Sequence, residues 1–231
     1  MALYVIGDLH LSLSGDKTMD IFPGWKDYVS RIKENWLVKI RPEDTVVLAG
    51  DTSWGMNFNE AKADFAFIDA LPGQKIILKG NHDYWWATMN KMNAFFQQSG
   101  FSTLHILHNN HYLVEGVCIC GSRGWIFDQG EPADQKVIAR EAGRLELSLQ
   151  SAGDFPGEKI AFLHYPPLYG EQLAPEILDI LLKYGIRRCY YGHIHGAGCS
   201  YAFNGSYMGI EFRLISADYL RFDPVLVETS G

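Results

Sequence analysis

Five short apolar runs in this chain each end in residues able to ligate metals or move protons. LYVIG (3–7) runs into Asp8-Leu9-His10, TVVLAG (45–50) into Asp51, and KIILKG (75–80) into Asn81-His82-Asp83. KIAFL (159–163) leads to His164, and RCYYG (188–192) leads to His193-Ile194-His195. Of the eight histidines, five occupy these positions, which scattered core imidazoles are not expected to do. Carboxylates and imidazoles gathered in one crevice are costly unless cations compensate them, so the pattern points to bound metal. Mixed oxygen and nitrogen donors suit Mn, Fe, Co, Ni or Zn better than Ca, which prefers oxygen alone. In Asp8-x-His10 and His193-x-His195 alternate residues project toward one side of a short turn. Glycines precede Asp8, Asp51, Asn81 and His193, where they permit tight turns and close backbone approach.

These residues meet only if the elements carrying them lie side by side. The first half alternates strand and helix signals. In 25–39 Tyr28, Ile32, Trp36 and Lys39 share a helical stripe, with Val29 alongside. A second helix is expected at 59–70 with Asn59 as its N-cap, and a third near 87–98. Further on, YLV (112–114) and VCICG (117–121) flank Glu115-Gly116, a hairpin turn. Helices are expected over 134–150 and from Pro175 to about Tyr184, and short closing strands over 200–227, with turns at Asn204-Gly205 and Asp223-Pro224. The alternation predicts an α/β layered fold with a mixed sheet or two packed sheets. In such folds the loops at the carboxyl ends of strands converge on one crevice. No domain boundary is visible, and residues 1–231 are read as a single domain.

Composition narrows the class. The chain has 231 residues, 47% hydrophobic and 20% charged, as expected of a folded globular protein. A net charge of −7 argues against a broad nucleic-acid surface but not against nucleotides. No apolar run approaches the roughly 18 residues that span a membrane, and MALYVIGDLH does not read as a secretory signal. Cys118, Cys120 and Cys189 sit in strand-like runs as small buried thiols. Together these features predict a cytoplasmic protein.

The set GDLH, GD (50–51), GNHD (80–83), His164 and GHIH (192–195) resembles the calcineurin-like metallophosphoesterases, in the family's order and across residues 7 to 195. GNHD is moderately specific and the five in order highly so; no signature position departs from the pattern. The resemblance implies two packed mixed β-sheets flanked by helices and a site for two divalent transition-metal ions. Position by position it implies that Asp8, His10, Asp51 and His195 bind the first metal, and that Asp51, Asn81, His164 and His193 bind the second, with Asp51 bridging. His82 would face the substrate phosphate, and Asp83 would orient its imidazole. Two metals about 3.5–4 Å apart polarise phosphoryl oxygens and acidify the water between them, which then attacks phosphorus, while His82 protonates the leaving oxygen or stabilises charge. The substrate is then a small phosphorylated or nucleotide mono- or diester. A metal-binding scaffold without turnover and a nuclease are the alternatives; the first predicts eroded ligands and the second a basic channel.

Other residues carry two readings each. Asp83 orients His82 or caps the following helix. Arg123, in the loop SRGW after VCICG, clamps the substrate phosphate or forms a surface ion pair. Of the adjacent Trp85 and Trp86, at least one belongs to the core, because neighbouring helical residues point apart. Trp54 invites the same question.

Overall fold

A computed structural model describes residues 1–15, 17–125 and 134–229. The first half runs β1 (Leu3–Ile6), α1 (Tyr28–Lys39), β2 (Thr45–Leu48), α2 (Phe58–Ala70), β3 (Gln74–Ile77), α3 (Met89–Ser99) and β4 (Leu104–Ile106). There follow β5 (Tyr112–Val114), β6 (Val117–Ser122), α4 (Asp134–Ser151), β7 (Glu158–Leu163), β8 (Leu168–Tyr169), β9 (Gln172–Leu173), α5 (Pro175–Lys183) and β10 (Arg188–Tyr191). The chain closes with β11 (Gly205–Tyr207), β12 (Ile210–Leu214) and β13 (Val225–Val227). One sheet has the order β13-β1-β2-β3-β4 and the other β11-β12-β10-β7-β6-β5. In the first, β1 to β4 are parallel and β13 is antiparallel. In the second, β12, β10, β7 and β6 are parallel, with antiparallel β11 and β5 at the edges. This is the fold class expected from the sequence: two mixed sheets flanked by helices.

The alternation of side chains along each strand builds the layers. Leu3 and Val5 of β1, Ile76 of β3, Val117 and Ile119 of β6, and Ile160 and Phe162 of β7 face one another between the sheets. Their neighbours turn outward: Ile6 and Ile77 pack with Ile32, Trp36, Phe65 and Ile68 under the first helices. Cys118, Cys120, Ala161 and Leu163 pack with Leu145, Leu149, Ile177 and Leu181 of α4 and α5. Each such fully buried aliphatic or aromatic side chain contributes about 1.5–3 kcal/mol, which holds the strand ends where the site needs them.

Several local expectations are corrected. The N-cap of α2 is Asn57, whose side chain accepts from the amides of Asn59 and Glu60; Asn59 is already inside the helix. Tyr28, Ile32 and Trp36 are buried as expected, but Lys39 points to solvent and pairs with Asp223 at 2.7 Å. The β11–β12 turn falls at Met208-Gly209, both at positive φ, rather than at Asn204-Gly205. The strand β4 carries no long apolar run and escapes pattern reading.

Candidate metal centre

The parallel strands place every expected ligand at one end of the sandwich. Asp8 and His10 follow β1, Asp51 follows β2, Asn81 follows β3, His164 follows β7, and His193 and His195 follow β10. A parallel bridge between Gly7 and Ser216 ties the two sheets together at that end. Asp8, His10, Asp51 and His193 all have positive φ (58°, 46°, 47° and 73°), a conformation that costs a non-glycine residue energy and clusters at functional sites. Two glycines are required by space. A Cβ on Gly80 would lie 2.0 Å from Asp51 Oδ1, and one on Gly192 would lie 2.4 Å from Asp8 Oδ2.

Two groups of donors result: Asp8, His10 and His195, and Asp51, His164 and His193. Asn81 joins the second, its Oδ1 lying 2.6 Å from His164 Nε2 and 3.0 Å from His193 Nδ1. Asp51 stands between them. Its Oδ1 accepts from the His82 amide at 2.7 Å, while Oδ2 lies 3.7 Å from His10 Nε2 and 3.5 Å from His164 Nε2.

The tautomers show what these groups are suited to hold. His164 Nδ1 donates to the Ala49 carbonyl at 3.1 Å, which leaves Nε2 bare. That lone pair faces the Asn81 and Asp51 oxygens, an arrangement of acceptors that a cation turns from repulsive to favourable. His195 repeats it. Its Nδ1 donates to Asp218 Oδ1 at 2.9 Å, so Nε2 faces His10 Nε2 at 3.3 Å and Asp8 Oδ1 at 3.8 Å. Burial drives the Asp8 carboxyl up to about 8, reinforced by Asp51 and opposed by His195. Asp51 is driven up to about 6 by burial, and burial pushes His164 down to about 3 and His193 to about 2. Bound divalent cations would reverse the carboxylate shifts by favouring the ionised forms, and they suit imidazoles that burial already holds neutral. The donor set fits a binuclear metal centre.

His82 stands at the mouth of the site. Its half-buried ring lies 4.4 Å from the Trp54 ring and 5.8 Å from His10. Trp54 also stacks on His10 at 5.0 Å, so it belongs to the site wall. Trp85 is core, edge-on to Phe65 at 4.7 Å, and Trp86 is half-buried beside His108 at 5.8 Å.

Asp83 does neither of the things expected of it. The His82 ring Nδ1 lies 3.4 Å from the Tyr84 hydroxyl instead, and α3 starts beyond Thr88. The buried Asp83 carboxylate accepts from the amides of Gly80 (2.7 Å), Thr52 (2.9 Å) and Ser53 (3.3 Å) and from Trp85 Nε1 (2.9 Å). It ties the β2 and β3 loops together, because the oxygens of a buried carboxylate in a tight turn must be met by donors.

Arg123 follows β6, which runs parallel to β7, so its loop opens at the ligand end. The ion pair it forms is buried rather than superficial. Nη2 donates to Glu141 Oε1 at 3.0 Å, with Glu141 fully buried. The guanidinium lies 4.9 Å from the Trp125 ring centre. Its carbonyl accepts from the amides of His164 and Tyr165, which braces the β7 loop.

Sequence reading misses Asp218, although the same strand-end signal precedes it: IEFRLIS (210–216) runs into Ala217-Asp218. Besides His195, Asp218 accepts from the Gly196 amide at 2.9 Å. Burial pushes His195 down, yet the Asp218 hydrogen bond and the charges of Asp8 and Asp218 leave it above its usual range. Removing such an outer partner typically weakens metal affinity about 10- to 100-fold. Asp218→Ala is therefore expected to weaken one of two metal equivalents, read by metal titration, while Asp218→Asn retains an acceptor and loses less. Equal weakening of both equivalents would place the effect elsewhere.

Among the described residues, no helix is long and apolar enough to cross a membrane. Comparison with solved structures finds the same fold in the protein of unknown function AQ665 from Aquifex aeolicus. That protein is 19% identical, with 97% of this chain and 95% of that one covered and a TM-score of 0.53. TT1561 of Thermus thermophilus is 13% identical, with 84% and 81% covered and a TM-score of 0.53. No curated protein matches. The family model for calcineurin-like phosphoesterases matches residues 1–197, the span that holds all seven expected ligands. The chain belongs to the calcineurin-like phosphoesterase family.

Proposed function

We propose that the protein is a metal-dependent hydrolase of phosphate mono- or diesters acting on a small phosphorylated or nucleotide substrate. The observation that carries this reading is the Asp51 carboxylate, set between two His/Asp groups with one oxygen facing a histidine of each. Asp8, His10, Asp51 and His195 would hold one divalent transition-metal ion, and Asp51, Asn81, His164 and His193 the other. When bound, such a pair supplies Lewis acidity toward phosphoryl oxygens and a water nucleophile at neutral pH.

The chain's own residues supply the rest. Asp51 Oδ1, by accepting from the His82 amide, fixes the backbone that carries His82. Trp54 and Tyr84 hold its ring. Burial keeps the imidazole below its usual range, and an arriving phosphate favours the protonated form by charge. His82 is then placed to donate to the leaving oxygen or to stabilise the charge that develops there. Asp83 acts by positioning, through the loop it clamps. The net charge of −7 favours a small substrate over a nucleic-acid lattice, and the free cysteines accord with a cytoplasmic location.

The test is direct. Mn²⁺-loaded protein is expected to hydrolyse a chromogenic phosphomonoester or diester, and a chelator is expected to abolish the activity. A folded, fully metallated sample that is inert on a broad panel of both would favour a scaffold without turnover.

A further inference from the structure

Beside the metal centre lies a concentration of positive charge that the ligand set does not use. Arg123 and Arg144 both donate to Oε1 of Glu141, at 3.0 and 2.8 Å, and Arg140 Nε lies 3.8 Å from the same oxygen. Glu141 is fully buried, and its Oε2 and the Nε of Arg123 have no hydrogen-bond partner among the described residues. Lys79, in the loop between β3 and Asn81, is half-buried. Burial lowers its ammonium below the usual range, and the charges of Arg123, Arg144, Asp83 and Glu141 act on it. Glu141 therefore meets three guanidinium groups, with Lys79 close enough for their charges to act on it, in a chain whose net charge is −7.

The cluster opens at the same end of the sandwich as the ligands. Lys79 leaves β3, Arg123 leaves β6, and the Arg123 charge acts on the His164 ring. His108, after β4, is the neighbour on the far side, acted on by both Arg144 and Lys79. Arg144 keeps about a third of its side chain exposed and Arg123 less, so the charge is open to a ligand. Like charges held together in partly desolvated surroundings repel, and an anion between them offsets that cost. Two guanidinium forks and an ammonium, coming from separate elements, match the several oxygens and double charge of a phosphate better than the two oxygens of a carboxylate.

We propose that Lys79, Arg123 and Arg144 bind a second phosphate group of the substrate, so that the preferred substrate carries two phosphates. This rests on the phosphoesterase reading above and adds its substrate class. The experiment uses Mn²⁺-loaded protein and two probe pairs: glucose 1,6-bisphosphate against glucose 6-phosphate, and adenosine diphosphate against adenosine monophosphate. The pairs separate phosphates set across a sugar from phosphates joined directly. In at least one pair the two-phosphate compound is expected to have the higher kcat/KM, by about tenfold or more, the effect of roughly one charge-assisted contact. Lys79→Gln and Arg144→Gln are each expected to bring that ratio toward one. Arg144 is partly exposed, so its substitution spares the core, and thermal melting checks the fold of both variants. No preference in either pair, or a preference that survives both substitutions, overturns the proposal. Equal losses on one- and two-phosphate compounds also overturn it, since the cluster would then serve the scissile phosphate. If wild-type protein hydrolyses none of the four, the chromogenic mono- and diester assay above decides the phosphoesterase reading. Calorimetric binding of the same pairs then decides the cluster alone: equal affinities reject it, and a two-phosphate preference lost in the variants upholds it.

Discussion

Asp51→Asn is expected to weaken both metal equivalents at once and to lower turnover by about 10³-fold or more, roughly 4 kcal/mol of barrier. Its Oδ2 lies within 3.7 Å of nitrogens from both ligand groups, so on the proposed reading a single charge would serve two ions. Neutralising it removes the attraction from each, whereas loss of a ligand such as His10 directly affects one. The amide keeps the Oδ1 acceptor that holds the His82 backbone, so the change isolates charge from geometry. Metal analysis after gel filtration provides the check. A variant that retains two equivalents and full activity would show that Asp51 does not bridge.

His82→Ala is expected to keep both metals and lose about 10²-fold in turnover, the usual scale for removing a positioned acid. The two properties separate because the His82 contribution to the ligand framework is its backbone amide, which alanine preserves. Its ring stands outside both donor groups, half-buried against Trp54. A substrate with an activated leaving group, which needs little protonation, is expected to lose less. Loss of metal in this variant would make His82 a ligand and overturn the division of roles.

The ligand set is legible because each group carries a local signal: an apolar strand that leads, directly at His164 and through a glycine elsewhere, into metal-ligating side chains. The glycines are explained by space, as at Gly80, where a Cβ would overlap Asp51. The layered fold is legible because the strands alternate cleanly, as with Val117 and Ile119 facing one sheet and Cys118 and Cys120 facing α4. Asp83 defeats pattern reading because a carboxylate beside a histidine has the same one-dimensional pattern whether it bonds the ring or the surrounding amides. For Arg123, neither a phosphate clamp nor a surface pair foresees Glu141, which lies 18 residues further on in a different element.

The sequence by itself determined which residue types stand at the strand ends, in which order, and hence the family and the kind of chemistry. Side-chain periodicity and ligand identity are local properties, carried within a few residues. Only the tertiary structure decided that Asp218 fixes the His195 tautomer and that one Asp51 oxygen faces both groups. It alone showed Arg123 and Arg144 gathered on the buried Glu141 beside them. Those facts depend on distances between residues of different elements, such as Asp51 and His164, set by how two sheets pack, and no local pattern encodes them.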